Sequence, residues 1–501
     1  MVRLHRSTEH RAYALWACPR AAIDSQRPPP AATCEHEASA GFQPASNAQN
    51  TLEMRRSVAH FSCRQEKVLF AALPNQPFIR KRGGAVTECY GILRGYASDM
   101  VRERAAVLTV LALLGAGCSA QSTAAGPTIT PVGLVTHVLP GCTTAAQEGP
   151  VVSAAATSMA AVPMGPFGVV TTGDGRWAFV SLTGPRTIGV FKVAASPVPS
   201  LIRQVPVAAA GLLGEALTPG DRYLLVANDG SGADVLSVQE LEQGSKHPLV
   251  GTLAAPAGAQ LPGSIEVAVS PDGDFVFASL EEGSSIAVFN LRRALSAGFS
   301  AADYVGSIPA EPGPVGLAFS PDGRWLYSTS EASAARGQIG TLTVISVPTA
   351  ESDPAASVVS RVAAGCNPVR VISSTDGRVV WVTARASNSL LAFSAARLRT
   401  DPAHALLADV RVGELPVGLA LVRNGTRIVV ADSNRFTDAG ASASLAVVDV
   451  SDALKGRPAL LGYLPAGGFP RQMAVEQSGR TLLLTNFDSS QLETVNVADL
   501  P

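Results

Sequence analysis

Histidine is scarce in this chain: seven in 501 residues, and beyond position 117 only His137, His247 and His404. Little is left for a histidine-based general base or metal centre. Lysine is as rare over that stretch, with Lys192, Lys246 and Lys455 alone. Residues 118–501 hold 24 basic against 31 acidic side chains, a net charge of −7. Without a basic stripe, nucleic acid is not an expected partner. No Gly-x-Ser-x-Gly elbow, zinc-type His/Glu helix or phosphate loop stands in this part, and no Cys-x₂-Cys-His haem attachment motif. No cofactor is therefore expected. Charged residues make up only 16% and apolar ones 47%, which suits a packed core and not disorder.

What is present is a period. Seven times a short apolar run meets a Gly/Asp turn, then a second apolar run, a loop and a third run. The turns are Asp174-Gly175-Arg176, Pro219-Gly220-Asp221-Arg222, Pro271-Asp272-Gly273-Asp274, Pro321-Asp322-Gly323-Arg324, Asp376-Gly377-Arg378, Asn424-Gly425-Thr426-Arg427 and Ser478-Gly479-Arg480. A spacing of about 45 to 54 residues is that of a four-stranded propeller blade. In the fourth unit, 315–319 and 324–328 flank the turn and 341–347 follows, each run too short for a helix and rich in β-branched residues. A weaker fourth strand is expected at 356–362. One such sheet cannot bury both faces, so the units must stack radially and close.

Closure needs the two ends of the repeat region to meet. The seventh unit supplies three strands, near 471–475, 481–485 and 491–497, and the chain then stops at Pro501. The missing strand is expected from ahead of the first unit, at 157–162 by register, with 133–139 as runner-up. The fold expected is all-β, a seven-bladed β-propeller over 132–501 with its ring sealed by an N-terminal strand.

Ahead of the repeats, Met100 opens a charged stretch with Arg102, Glu103 and Arg104, followed by an apolar run at 105–114 and Gly115-Ala116-Gly117-Cys118. The run is too short to span a bilayer and reads as a secretory signal. With its cysteine it resembles a bacterial lipoprotein signal, although Gly115 stands where leucine is usual. The resemblance implies cleavage before Cys118 and a lipid on that thiol, hence an exported protein anchored in the cell envelope. An ordinary signal cleaved nearby is the other reading. Residues 118–131, small and polar, read as a tether. Residues 1–99 carry 13 basic and 8 acidic residues and no repeat unit. They are read as an upstream extension with no fold of its own, and a disordered leader is the alternative. Beyond Cys118 only Cys142 and Cys366 remain; in an oxidising compartment they either pair or stay as two thiols.

The motif Pro-x-Gly-φ-x-φ-x-Pro-Asp-Gly-Arg (φ apolar), followed by an apolar strand ending near Ala-Asn, as in Leu225-Val226-Ala227-Asn228, resembles the YVTN β-propeller repeats. That family is itself similar to seven-bladed lactonase-like propellers. The resemblance implies a ring whose channel or loop faces bind something, and a lactonase would need a base at the channel mouth. Seven positions before each turn stand Gly168, Gly214, Glu266, Gly316, Arg370, Gly418 and Gln472. Three of them break the glycine rule, and such breaks are where function is expected. Glu266, Arg370 and Gln472 should meet at one end of the channel and suit a small polar ligand, Arg370 holding an anionic group. Equally, Glu266 and Arg370 would neutralise each other in a water-lined pore.

The ends of the second strands give another row: Leu182, Asn228, Leu280, Ser330, Ala384, Asp432 and Asn486. Asn228, Asp432 and Asn486 are either ligand contacts or turn caps. The loops 228–234 and 432–438 space oxygen ligands loosely as calcium loops do, without the closing Glu, so no metal is expected. The functional expectation is a monomeric binding module for a protein, glycan or small polar ligand. The alternative is a lactonase-like hydrolase with Glu266 as base and Arg370 beside it. A concave channel mouth next to that pair would favour the enzyme, an open pore the module.

Overall fold

The computed structural model describes the hairpin His60–Cys63 with Glu66–Leu69 and most of residues 132–501. Not described are 137–138, 143, 153–156, 194–198, 208–210, 257–258, 260–261, 333–337 and 436–442. The signal region, Cys118 and the tether therefore lie outside the described residues. The hairpin belongs to a separate compact unit, Pro19–Thr128.

The repeats form seven four-stranded antiparallel sheets, a seven-bladed β-propeller. The innermost strands are, in order, Pro166–Thr171, Glu215–Leu217, Ser264–Val269, Pro314–Phe319, Pro368–Ser373, Pro416–Val422 and Pro470–Val475. Five of the seven begin at proline, which is tolerated because these are edge strands facing the axis. Consecutive inner strands pack on one another, and the seventh packs on the first. Between the blades lie apolar layers such as Phe179, Val190, Leu224 and Val226. Their continuity from blade to blade is what a single half-buried sheet lacks.

The turn motif has a local and a tertiary reason. In the fourth blade Ser320 Oγ donates to Asp322 Oδ1 and accepts from Trp325 N at 3.0 Å, while Arg324 N donates to Asp322 Oδ1 at 3.2 Å. Gly323 takes φ 69°, where a side chain is strained. A Cβ there would also lie 3.1 Å from Pro271 of the preceding turn. In the second blade Asp221 holds this left-handed position, with φ 55°.

The ring closes where register placed it. Thr157–Ala161 pairs antiparallel with Gln491–Asn496, with Leu492 opposite Ala160. The runner-up segment does something else: Leu134–Val135 adds a parallel fifth strand to the fourth blade, beside Arg361 and Val362. The outer strand there is Val358–Cys366, longer and later than expected. Between these points the N-terminal segment crosses the fifth and sixth blades as a belt. Asn388 Nδ2 donates to Thr144 O at 3.0 Å, Gln147 N to Val412 O at 2.8 Å, and Tyr463 N to Pro150 O at 2.9 Å. Cys142 and Cys366 form a disulfide with a Cα separation of 5.2 Å, which decides between the two readings of those thiols.

Candidate functional site

Glu266, Arg370 and Gln472 meet. They stand on the inner strands of the third, fifth and seventh blades, none adjacent to another, so contact between them is contact across the channel. Arg370 Nη2 lies 3.1 Å from Glu266 Oε2 and donates to Gln472 Oε1 at 3.3 Å. Gln472 Nε2 donates to Glu266 Oε1 at 3.3 Å. Glu266 is 6% exposed and Arg370 7%. The glycines of the row make room: a Cβ on Gly214 would fall 2.6 Å from Glu266 Oε2. The axis is thus not an open pore at this level, because three side chains cross it.

Burial raises the Glu266 carboxyl above its usual range, and Arg370, the Gln472 amide and Arg471 pull it back. A fourth group was missed. Glu215 stands one residue after Gly214, in a row otherwise made of Val169, Val267, Leu317, Val371, Leu419 and Met473. It is 3% exposed. Neither carboxylate oxygen has a hydrogen-bond partner among the described residues, the Ser181 N–H approaching without hydrogen-bond geometry. Burial, then the charge of Glu266, push its carboxyl well above the ordinary value. The signal was available as a second broken row, one position along. Arg370 Nε and Nη1 likewise lack partners among the described residues.

One residue before the trio's row, Phe167, Leu213, Ile265, Val315, Val369 and Val417 form a buried apolar ring. Arg471 is its exception, with its guanidinium carbon 3.6 Å from the centre of the Phe167 ring. A further device binds blade to blade. Thr383 Oγ1 accepts from Arg370 N at 3.1 Å and donates to Val417 O of the next blade at 2.8 Å. Thr485 does the same from Gln472 N at 3.1 Å to Phe167 O at 3.0 Å, bonding the last blade to the first.

No protein-family model matches the chain, and no curated protein matches it. Among solved structures it is similar to hydrazine synthase of Kuenenia stuttgartiensis. The two share 16% identity and a TM-score of 0.54, over 70% of this chain and 100% of that one. At that identity the likeness concerns the fold alone. The family resemblance read from the repeats therefore stands on its motifs.

The second row of expected ligand residues is not brought together. Asn228 Nδ2 donates to Asp234 at 3.3 Å and Asn228 Oδ1 caps Gly230 N at 3.1 Å. Asp432 accepts from Ser444 at 3.2 Å, and Asn486 donates to Glu493 at 2.7 Å. Each pair lies within its own blade. Burial raises the Asp432 carboxyl well above its usual range. In the loop after Asp432, positions 436–438 lie outside the described residues. His247 and His404 are exposed on outer loops, His404 beside Asp401 at 2.9 Å.

Proposed function

We propose that this protein is a binding module: an exported propeller, tethered to the bacterial envelope by a lipid on Cys118, that presents its loop faces to a partner. The observation that carries the reading is the crossing of the axis by Glu266, Arg370 and Gln472 beneath the apolar ring of Phe167 and Val417. Side chains that cross a channel and pair there fill the axis at that level, which leaves recognition to the faces around it. The scarcity of histidine supports the same conclusion.

A lactonase-like hydrolase related to the YVTN-type propellers is the second reading. It is supported by the juxtaposition of two buried carboxyls, Glu215 and Glu266, both with raised affinity for protons. Hydrolysis of a panel of sugar and phosphosugar lactones by the purified protein, with Glu266→Ala and Arg370→Ala beside it, separates the two. The module reading expects no turnover above the uncatalysed rate. Turnover lost in both variants would establish the hydrolase. Incorporation of labelled fatty acid, expected in the wild type and absent in Cys118→Ser, tests the anchor.

A further inference from the structure

Two cavities open on the face that carries the Asp-Gly turns, at equivalent places in the repeat. One, of about 320 Å³, lies between the second and third blades. The other, of about 180 Å³, lies between the fourth and fifth. Each is walled by the aromatic residue that opens a second strand, Tyr223 or Trp325. Each also receives an arginine from the short helix of the following blade. Arg292 comes from Leu291–Ala297 and Arg399 from Ala395–Thr400.

The other junctions lack this combination. Trp177 faces the helix Val238–Gln243 and Phe275 the helix Val347–Ala350, neither of which holds an arginine. The second strands of the last three blades open with Val379, Arg427 and Thr481, none of them aromatic.

The lining of the smaller cavity defines what it accepts. The Arg399 guanidinium stands over the Trp325 ring, 4.8 Å from its centre, and offers N–H donors beside an apolar surface. Hydrogen bonds from Ser320 and Ser374 hold the Asp322 and Asp376 carboxyls below their ordinary range, so both stay ionised acceptors. Those bonds fall on Oδ1 of each. The Tyr327 hydroxyl is buried in the cavity wall without a hydrogen-bond partner among the described residues, Arg399 approaching it without the required geometry.

An anion would meet the two carboxylates, and a hydrocarbon would leave the buried Tyr327 hydroxyl unsatisfied. A neutral ring bearing hydroxyls has an apolar face for the indole and both donors and acceptors for the rest. The volumes, about 180 and 320 Å³, lie below and just above the roughly 300 Å³ where drug-sized pockets begin, which suits one such ring per cavity.

We infer that the two clefts are carbohydrate sites, each taking a neutral sugar unit. Two of them on one face fit a repeating polysaccharide held at both points. The inference rests on the binding-module reading for its partner, but the clefts lie apart from the axis, so a catalytic axis would leave them standing.

The test is retardation of the full chain in native gels containing neutral polysaccharides of differing composition, with a charged polysaccharide alongside. Retardation by at least one neutral polymer, unchanged by added salt, is expected. Tyr223→Ala/Trp325→Ala should weaken it by about 10²-fold through lost avidity. Tyr327→Phe, which removes only the buried hydroxyl, should weaken it roughly 3- to 10-fold. Tyr223→Phe/Trp325→Phe should retain it and shows that the ring is what is required. No retardation by any neutral polymer, retardation by the charged polymer alone, or a wild-type response in both the double Ala variant and Tyr327→Phe would overturn the inference. The lactone assay is independent of all these variants, so failure of the clefts and failure of the module reading give different results.

Discussion

Arg370 Nη2 lies 3.1 Å from Glu266 Oε2 with a whole blade between their strands. Both are buried, so neither charge has bulk water to fall back on. Removing one partner leaves the other uncompensated, at a cost of about 3–5 kcal/mol, whereas replacing both with apolar groups is often near neutral. Glu266→Leu and Arg370→Leu should each lower stability by that amount in urea unfolding. The double variant should recover most of it. Single variants no worse than the double would mean that water solvates the pair and that the channel is wet at this level.

Glu215 should respond to pH. Its carboxyl is held well above the usual carboxylate range, by burial and then by Glu266. The folded protein thus binds this proton more tightly than the unfolded chain, and the group's contribution falls as pH rises from about 4.5 toward the raised value. Below that window both states are protonated and no penalty exists. Glu215→Leu, the residue that the fourth blade carries as Leu317, should raise the melting temperature at pH 8, with the gain shrinking toward pH 4.5. A gain independent of pH would assign the effect to packing instead.

The difference between Glu266 and Glu215 shows how far the sequence could be read. Blades were legible because the turn chemistry is local: Ser320, Asp322 and Trp325 satisfy one another within six residues. Glu266, Arg370 and Gln472 were legible because they interrupt a row of glycines that the ring superimposes. Glu215 interrupts the neighbouring apolar row, and only packing shows that its carboxyl faces Glu266. Asn228, Asp432 and Asn486 show the opposite case. They form a row, but their partners Asp234, Ser444 and Glu493 lie on the third strands of their own blades.

The bond between Cys142 and Cys366 fastens the belt to the fourth blade and closes a loop with a sequence separation of 224. Long loops lose much unfolded-chain entropy when linked, and loss of a native disulfide typically costs about 2–5 kcal/mol. Cys142→Ser should lower the melting temperature, and reductant should move the wild type to the same point while leaving the variant unchanged. Non-reducing peptide mapping should recover the two cysteines in one linked species. A wild type indifferent to reductant, with both thiols open to alkylation, would refute the link.

Closure depends on five residues, Thr157–Ala161, completing the last blade against Gln491–Asn496. Without them the third strand of that blade becomes an open edge, and exposed edges pair with other chains. The Thr485 bond to Phe167 O would then hold the first and last blades without the sheet that supports it. A chain beginning at Thr157 keeps the closing strand and loses the unit Pro19–Thr128, the added strand Leu134–Val135, the belt and the disulfide, so it should unfold in one transition at lower denaturant. A chain beginning at Pro163 loses the strand as well. It should show a broadened transition with a smaller denaturant slope, and self-association by size-exclusion chromatography. Identical behaviour of the two truncations would place the energetic seam of the ring in the inner-strand contacts, with the closing strand contributing little.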